Sequence, residues 1–573
     1  MAIHNSHIAD MFNQLAKLLE IQGANPFRIR AYRKAARTIE SLPRNVSAML
    51  MEGADLSELP GIGDDLAAKI TEIVETGHLS LLDQVSSQLP GKLANLANIP
   101  GLGPKRVKIL YDQLGIRNLQ DLASAARLGK IRDLHGFGAK IEETILAETE
   151  RHRDRQPRIK RQTAESFAEP LLAYLQAAQG VNQVIIAGSY RRRQDTIGDL
   201  DILVTCQHPS MIMNHFVAYE EVEAIVSKGQ TRATVLLRTG LQVDLRVVPE
   251  KSYGAALQYF TGSKAHNIAI RALAIKKGLK INEYGVYRGT KAIAGRTEEE
   301  VYAQVGLPYI VPELRENLGE IEAGLRHTLP NLVALKDIRG DLHVHSNASD
   351  GQFSIKDMAL AAQQKGYEYL AICDHSQRIT IAHGLDAKRL AAQMEEIDRL
   401  NESFKGLTLL KGAEVDILEN GTLDFPNEIL ARLDLTVCAI HSQFNLPRRQ
   451  QTERIIKAMD NPHFNILAHP TGRLLNQRPP YDIDMEQIMV AAFERGCVLE
   501  LNAQPIRLDL TDLHCKTAKD LGVNVAISTD AHRTTDLDFM RFGLDQARRG
   551  WLEPHHILNT SPLRVLKKQL IRK

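Results

Sequence analysis

Cysteine is scarce in this sequence, and its occurrences have no regular spacing. Five cysteines are scattered among 573 residues, and no two form a Cys-x-x-Cys pair. This distribution excludes a cysteine-based zinc site and a disulfide framework, and it is typical of proteins in a reducing compartment. We therefore expect reduced thiols and a cytoplasmic location.

Long apolar runs and a strong charge of one sign are also missing. No stretch approaches the roughly 18 apolar residues of a membrane span, so we expect no membrane partner. The N-terminal residues lack the basic-then-apolar order of a signal peptide. The net charge is +2, and residues 341–573 hold 28 Lys and Arg against 31 Asp and Glu. The positive excess before residue 341 is too small to establish a nucleic-acid partner.

The chain is too long for one hydrophobic core, and its residue patterns change along its length. Helical periodicity dominates the first 155 or so residues. From residue 181 strand-like and helix-like segments are mixed, and beyond residue 340 short strands alternate with helices. We predict a helical region, a mixed α/β region and an α/β barrel-like region, with functional residues at the strand ends of the last.

A short glycine pattern recurs three times, at residues 59–70, 99–110 and 134–145. Each copy has two glycines one residue apart, followed by an amphipathic helix. Backbone N–H groups at such a turn can approach a phosphate. One copy fits an ordinary turn equally well, and the third copy fits a plain loop, but three copies favour helix-hairpin-helix modules that hold DNA phosphates. The candidate DNA contacts are Gly61, Gly63, Gly101, Gly103, Gly136, Gly138 and Lys105.

Paired aspartates follow the segment GSYRRR in residues 185–204. Asp199 and Asp201 are two residues apart on a predicted strand and so share a face. Asp244 lies on a later apolar strand that could pair alongside. Three carboxylates on one face repel one another unless divalent cations intervene, and two such cations suit in-line phosphoryl transfer. An exposed Asp-x-Asp turn is the alternative.

The segments GSYRRR, GDLD, VDLR and YFTGSKAHN together resemble the nucleotidyltransferase core of family X DNA polymerases, which fill gaps during DNA repair. The resemblance implies that Mg²⁺ or Mn²⁺ binds at the three aspartates. It implies a deoxyribose-phosphate lyase lysine at Lys69, for which a solvated helix lysine is the alternative, and a template-side contact at Arg271. Gln242 departs from the arginine of animal members, so activation of the primer 3′-OH could differ. The implied nucleotide contacts are Gly188, Ser189, Arg192, Tyr259, Phe260, Gly262 and Asn267.

Histidines and acidic residues recur beyond residue 340 where predicted strands end. One such histidine alone would fit a structural role, but the set has nine members and exceeds the needs of one ion. Imidazole and carboxylate without cysteine suit Zn²⁺, Mn²⁺ or Fe²⁺ rather than Ca²⁺. Clustered ions of this kind bridge phosphates and activate water. The nine candidates are His343, His345, Asp350, His375, Glu414, His441, His469, Asp530 and His532.

The histidine pattern resembles the PHP (polymerase and histidinol phosphatase) phosphoesterase domain, with all nine ligand positions filled. Together the two resemblances imply a bacterial or archaeal family X polymerase with a C-terminal PHP domain. They imply a 3′–5′ exonuclease holding two to three Mn²⁺ or Zn²⁺ ions, with AP-endonuclease and 3′-end-processing activities. Arg378, Arg473 and Arg507 are expected phosphate contacts.

We therefore predict a multidomain repair polymerase that acts as a monomer on gapped or nicked DNA with deoxynucleoside triphosphates. One alternative is a PHP nuclease or phosphatase that uses a degenerate polymerase core as a DNA clamp. Another is a non-catalytic protein that bridges DNA ends. The predicted domains are a lyase-like helical domain (1–90), a helix-hairpin-helix domain (91–155), an α+β palm (156–250), a thumb-like domain (251–325), a linker (326–339) and a distorted TIM-like PHP barrel (340–573).

Overall fold

The chain forms two compact units, Met1–Gln156 and Pro157–Lys573. The computed structural model describes residues 5–42, 46–51, 53–59, 61–76, 78–88, 96, 99, 102–153 and 158–572. Among these residues, no helix combines the length and the apolar character that crossing a membrane requires.

The first unit is helical, as the periodicity predicts. Phe12 and Tyr32 pack edge to face between the first two helices, with ring centroids 5.5 Å apart. The second helix begins with Pro26, and the side chain of Asn25 accepts a hydrogen bond from the Phe27 N–H, so the first turn is capped. The helices are α1 (Asn5–Gln22), α2 (Pro26–Ser41), α3 (Val46–Met51), α4 (Asp64–Thr76), α5 (Ser80–Gln88), α6 (Pro104–Leu114), α7 (Leu119–Arg127) and α8 (Ala139–Arg153).

The three glycine repeats share the same pattern of backbone hydrogen bonds among their described residues. In each copy the residue between the two glycines donates its N–H to a carbonyl three residues earlier, and the second glycine's carbonyl begins the next helix. The third copy is therefore a turn of the same kind and not a plain loop. Gly101 lies outside the described residues. The first bonds are Ile62 to Leu59, Leu102 to Ile99 and Phe137 to Leu134, with N–O distances of 3.0, 2.8 and 3.0 Å.

The second unit begins with the predicted palm, built on a five-stranded sheet in the order β2-β4-β7-β6-β5. Strands β4 and β7 run parallel, and the other neighbours are antiparallel. The strands, including a short outer pair, are β1 (Ile159–Lys160), β2 (Val181–Ile186), β3 (Thr196–Ile197), β4 (Asp199–Cys206), β5 (Val222–Lys228), β6 (Arg232–Leu237) and β7 (Gln242–Val247), and the helices are α9 (Arg161–Gln176), α10 (Gly188–Arg191) and α11 (Pro209–Val217).

The predicted thumb follows, and a buried charge cluster joins it to the palm. Glu298 accepts hydrogen bonds from Arg191 and from the fully buried Arg315, each at 2.6 Å at its shortest. The elements of the predicted thumb are α12 (Tyr253–Thr261), α13 (Lys264–Lys276), β8 (Lys280–Asn282), β9 (Gly285–Arg288), β10 (Lys291–Ala294), α14 (Glu298–Val305) and α15 (Glu320–Leu325).

The last region has eight parallel strands, in a three-stranded and a five-stranded sheet. Single parallel bridges join Val344 on β11 to Ala531, which follows β18, and His375, which follows β12, to Glu414 on β14. The mixed α/β prediction is confirmed, and closure into a barrel stays a prediction. The strands are β11 (Gly340–Val344), β12 (Tyr369–Ile372), β13 (Thr408–Lys411), β14 (Glu414–Asp416), β15 (Val437–Ala439), β16 (Ile466–Leu467), β17 (Val498–Asn502) and β18 (Val525–Ser528).

Helices separate most of these strands and cover the outside of the sheets. They are α16 (Ile355–Gln364), α17 (Ala387–Ser403), α18 (Asn427–Leu430), α19 (Arg448–Met459), α20 (Met485–Arg495), α21 (Asp512–Leu521), α22 (Met540–Arg549) and α23 (Leu563–Leu570).

Candidate active sites

The three aspartates of the palm lie on adjacent parallel strands. Asp201 on β4 is the register partner of Asp244 on β7, and Asp199 pairs with Gln242 one step earlier on the same face. The alternation of strand side chains thus brings together the three carboxylates that the sequence singled out. Thr234 and Gln242 donate to the two oxygens of Asp244 at 2.6 and 2.7 Å, which fixes its orientation.

Burial and mutual repulsion of the three carboxylates favour the binding of cations between them. Burial, with the neighbouring charges of Asp199 and Asp244, raises the pKa of Asp201 to about 7. Burial and Asp244 likewise raise the pKa of Asp199. A bound divalent cation would relieve this repulsion, and an all-carboxylate donor set suits Mg²⁺ or Mn²⁺.

The turn after β2 approaches the aspartates closely. Gly188 has a φ of +59°, and a β-carbon there would collide with a carboxylate oxygen of Asp201. The hydroxyl of the next residue, Ser189, is buried and has no hydrogen-bond partner among the described residues. Such a hydroxyl is a ready donor for a phosphate oxygen.

The aromatic pair at the end of α12 lies beside the cap of that helix. Tyr259 and Phe260 have ring centroids 5.1 Å apart, and Gly262 ends the helix with a φ of +66°. Asn267 donates to the Tyr259 carbonyl at 2.7 Å, and the Arg271 guanidinium lies 5.9 Å from the Tyr259 ring centroid. The expected nucleotide contacts of the thumb thus form one connected group.

The nine residues singled out beyond residue 340 converge in the PHP region. One group holds His345, Asp350, His375 and His532, a second holds His343, His345 and Asp530, and a third holds His375, Glu414 and His441. Nε2 of His343 lies 3.1 Å from Nε2 of His345, and His469 Nε2 lies 3.0 Å from Glu414 Oε1. Shared residues link the three groups, so the donor set fits up to three adjacent ions of the Mn²⁺ or Zn²⁺ type.

Glu414 has a different position from the one expected. The sequence pattern predicts Glu414 at the end of a strand, but β13 and β14 are separate strands at this point of the chain. Glu414 begins β14 and pairs by a single bridge with His375. The break is what turns its carboxylate toward the histidines, three of which approach within 3.2 Å.

Acidic and imidazole groups of this cluster shift one another's pKa values strongly. Burial disfavours charged imidazole, but the carboxylates of Glu414 and Asp350 more than offset it and raise the pKa of His375 to about 10. In the same way Asp350 raises the pKa of His532 to about 9 against the effect of burial. Burial opposes charge on Glu414 too, yet the surrounding histidines hold its pKa well below its usual range.

Two buried carboxylates that the sequence analysis missed orient the ligands from behind. Glu500, which is fully buried on β17, accepts from His343 Nδ1 at 2.7 Å and from the His469 N–H at 2.7 Å. Asp416 accepts from His441 Nδ1 at 3.2 Å. Such contacts fix the ring orientation and tautomer of a metal-binding histidine. Their only signal in the sequence was an acidic residue inside an apolar strand.

The three arginines expected to contact phosphate have different partners in the structure. Arg507 Nε lies 3.7 Å from Asp530 Oδ2, at the edge of the cluster. Arg473 pairs with Asp195 of the palm at 3.2 Å and donates to the Arg507 carbonyl, so its guanidinium contributes to a contact between domains. Arg378 pairs with the exposed Glu419 at 2.7 Å.

Comparisons with known proteins follow the same division of the chain. Residues 3–79 match a helix-hairpin-helix domain and 93–151 a helix-hairpin-helix tandem. Residues 158–257 and 256–316 match the DNA polymerase beta palm and thumb, and 341–503 match the PHP domain.

The full-length comparison decides the family. The sequence is 38% identical to DNA polymerase/3′-5′ exonuclease PolX of Bacillus subtilis (strain 168) over 574 residues, which span all of both chains. The chain belongs to the family X DNA polymerases with a PHP domain. This family X polymerase is also 30% identical to DNA polymerase lambda of Rattus norvegicus over 348 residues, 55% of this chain and 56% of that protein.

The match to the PHP family ends before the last part of the metal cluster. It covers residues up to 503, whereas Asp530 and His532 follow β18. Asp530 Oδ1 nevertheless lies 3.1 Å from His345 Nε2, and His532 Nε2 lies 3.3 Å from Asp350 Oδ2. Contacts in the structure, and not the extent of that match, assign these two residues of the polymerase to the cluster.

Lys69 and Lys105 of this family X polymerase lie in the first unit. Lys69 on α4 forms an i, i+4 ion pair with Asp65, and its side chain is 17% exposed. Lys105 is exposed in the first turn of α6, whose N-cap is Gly103. Both positions leave the amino groups within reach of solvent.

Proposed function

We propose that this protein fills short gaps in DNA by template-directed nucleotide addition and removes 3′-terminal nucleotides with its own nuclease. The proposal depends on one observation above all, the presence of two separate candidate metal centres in one compact unit. The names of its relatives, a DNA polymerase/3′-5′ exonuclease and a DNA polymerase, support the same pair of activities. We further propose that it acts as a cytoplasmic monomer in base excision repair.

At the polymerase centre, Asp199, Asp201 and Asp244 would hold Mg²⁺ or Mn²⁺. Ions bound there stabilise charge on the attacking and leaving oxygens of an in-line displacement. Ser189 and Arg192 bind the triphosphate in this proposal, because one offers an unpartnered buried hydroxyl and the other a guanidinium. Gly188 allows this segment to approach Asp201. Tyr259, Phe260, Gly262 and Asn267 form the face against the sugar and base, and Arg271 lies toward the template.

At the nuclease centre, the nine histidine and carboxylate ligands would hold two to three Mn²⁺ or Zn²⁺ ions. Ions bound there supply an activated water and stabilise charge on the scissile phosphate. Glu500 and Asp416 hold the imidazoles of His343 and His441 in the orientation that binding requires. Arg507 lies at the edge of this centre and donates to a non-bridging phosphate oxygen in our proposal.

Reciprocal variants test the two-centre proposal on a gapped primer supplied with Mg²⁺ or Mn²⁺. Asp199→Ala should abolish incorporation and spare 3′–5′ degradation, and His343→Ala should do the reverse. Loss of both activities in both variants, with unchanged thermal unfolding, would contradict the proposal. Chelation followed by metal titration then tells which ion restores each activity.

The same assay separates the rival functions. A nuclease or phosphatase with a degenerate polymerase core would degrade the primer but add no nucleotide. An end-bridging protein would bind DNA tightly at low salt and show turnover at neither centre. The polar and steric arrangement around the aspartates supports the polymerase, because Thr234 and Gln242 orient Asp244 and a β-carbon at position 188 would displace Asp201.

We also propose that Lys69 is the lyase nucleophile of the first unit. Its side chain is only 17% exposed and forms an ion pair with Asp65, so it has to leave this partner to attack a sugar aldehyde. Borohydride trapping of the protein on an incised abasic site tests this role. Lys69→Ala should abolish the trapped adduct, and an undiminished adduct would assign the chemistry to another amine.

A further inference from the structure

A network of hydrogen bonds connects the PHP domain with the candidate triphosphate residue Arg192. Arg549 at the end of α22 donates from Nη1 to the Arg192 carbonyl at 2.8 Å and to Glu316 Oε1 at 3.0 Å. Arg192 donates from Nε to the same Glu316 oxygen at 2.9 Å. One carboxylate oxygen of the thumb therefore joins an arginine of the PHP domain to an arginine of the palm.

Protein groups accept hydrogen bonds from two of the three guanidinium nitrogens of Arg192, Nε and Nη1. Nη1 of Arg192 donates to the Thr261 carbonyl at 2.6 Å. No hydrogen bond or ion pair engages Nη2 within the described part of the chain. Nε and Nη1 are thus fixed by protein groups, and the Nη2 donors are available to an anionic ligand.

Arg549 is well suited to fix this arrangement. Its side chain is 3% exposed, and its other terminal nitrogen donates to Asp512. Glu316 Oε1 also accepts from Gln194 at 2.6 Å. Burial raises the pKa of Glu316, but the guanidiniums of Arg192 and Arg549 more than offset this and hold it below the usual range, so the carboxylate stays charged.

We propose that Arg549 of the PHP domain is a positioning residue for nucleotide binding at the polymerase centre, acting through Glu316 and the Arg192 backbone. This inference rests on the proposed role of Arg192 in binding the triphosphate. With Arg549 present, Glu316 divides its charge between two guanidiniums and the Arg192 backbone is anchored. Without Arg549, Arg192 is the one guanidinium of this network left on Glu316, beside the amide of Gln194, and that arginine binds the triphosphate less well.

The test compares Arg549→Ala with Arg548→Ala in the full-length protein. Arg548 is the preceding residue and also contacts other domains, through Glu313 at 2.9 Å and the Val333 carbonyl, but it does not touch Arg192 or Glu316. Deoxynucleotide binding is measured on a gapped DNA with a dideoxy-terminated primer, and KM and kcat are measured separately by incorporation. Arg549→Ala should weaken nucleotide binding and raise KM about tenfold, which is the usual effect of losing a residue that orients a binding residue without touching the ligand. The DNA affinity and the exonuclease rate should stay unchanged.

Two further variants keep the result interpretable. Arg549→Lys retains the positive charge but has one terminal nitrogen in place of the two with which Arg549 reaches its three acceptors, so it should give an intermediate KM. This variant replaces Arg549→Ala in the test if the alanine variant unfolds. Glu316→Gln combined with Arg549→Ala should be less than additive in its effect on KM, since both act through one carboxylate.

Several outcomes would overturn the inference. Equal nucleotide affinities for the Arg549 and Arg548 variants, or tighter nucleotide binding after Arg549→Ala, would show that Arg549 does not position Arg192. Arg192→Ala separates this failure from failure of the proposed site. If Arg192→Ala weakens nucleotide binding and the Arg549 variants do not, only the inference is wrong. If Arg192→Ala has no effect, the proposed triphosphate site itself is wrong.

Discussion

Gly188 and Asp201 approach each other so closely that a side chain at position 188 and the aspartate carboxylate would occupy the same space. The backbone of Gly188 also has a φ of +59°, which side-chain-bearing residues rarely adopt. Sequence position does not reveal this contact, since Gly188 begins α10, Asp201 lies on β4, and β3 lies between them in the chain. It couples the segment proposed to bind the triphosphate to the strand that carries Asp199 and Asp201.

Gly188→Ala should therefore disable nucleotide addition and leave the nuclease intact. We expect incorporation to fall about a hundredfold, because displacement of Asp201 misplaces a reacting centre. Gly240→Ala is the matched control, since Gly240 also has a positive φ, +80°, but a β-carbon there meets no atom within 4 Å. Equal losses for the two variants would attribute the effect to backbone strain alone. Single-nucleotide incorporation and primer degradation are the measurements.

Glu500→Gln should weaken metal binding at the proposed nuclease centre although Glu500 is not among the nine proposed ligands. An amide can replace one accepting oxygen but not both, and Glu500 accepts from His343 and from the His469 N–H. We expect the metal concentration for half-maximal exonuclease activity to rise about 10- to 100-fold, with unchanged nucleotide incorporation. Glu396→Gln, at an exposed position of α17, should have no effect. An unchanged metal requirement would mean that His343 orients itself without this partner.

Glu298 should make the thumb sensitive to acid. Burial raises the pKa of Glu298, but Arg191 and Arg315 outweigh burial, and the folded-state pKa lies below the ordinary 4.5. The stabilisation is therefore present above about pH 4.5 and is lost as the pH falls through the folded-state pKa. Glu298→Gln should lower the free energy of unfolding by about 3 kcal/mol at neutral pH, because it leaves Arg315 buried without its charge partner.

Denaturant unfolding of both proteins across this pH range checks the prediction. The difference between wild type and Glu298→Gln should shrink toward acid pH, where wild-type Glu298 is also neutral. The exposed neighbour Glu299 supplies the control variant Glu299→Gln. A difference that is constant with pH would show that packing, and not charge, accounts for the loss.

Lys105→Ala should reduce the salt dependence of DNA binding. Each lysine that neutralises one phosphate contributes roughly 0.9 to the slope of log affinity against log salt. We expect the slope to become shallower by about this amount, with no change in nucleotide KM. Lys388→Ala, an exposed lysine of the PHP region, should leave the slope unchanged. Identical slopes for wild type and Lys105→Ala would show that Lys105 does not neutralise a DNA phosphate.

Patterns with a fixed period were readable from the sequence alone. The i, i+2 spacing of Asp199 and Asp201 on a strand predicted their common face, and β4 has that geometry. The three glycine pairs predicted one repeated turn, including the copy that also fitted a loop. His343 on β11 and His345 directly after that strand likewise lie together, with their Nε2 atoms 3.1 Å apart, as the i, i+2 spacing predicted. Local backbone geometry fixes each of these relationships.

Contacts between distant segments were decided only by the tertiary structure. The break between β13 and β14 that turns Glu414 inward depends on neighbouring strands, as does the approach of Glu500 to His343 across 157 residues. Arg473, an expected phosphate contact, also pairs with Asp195 of the palm, which no sequence spacing indicated. The sequence determined which residues carry the chemistry, because their spacing follows strand and turn periods. The packing of domains determined which charges meet, because a charged side chain pairs with whatever partner the fold brings within reach.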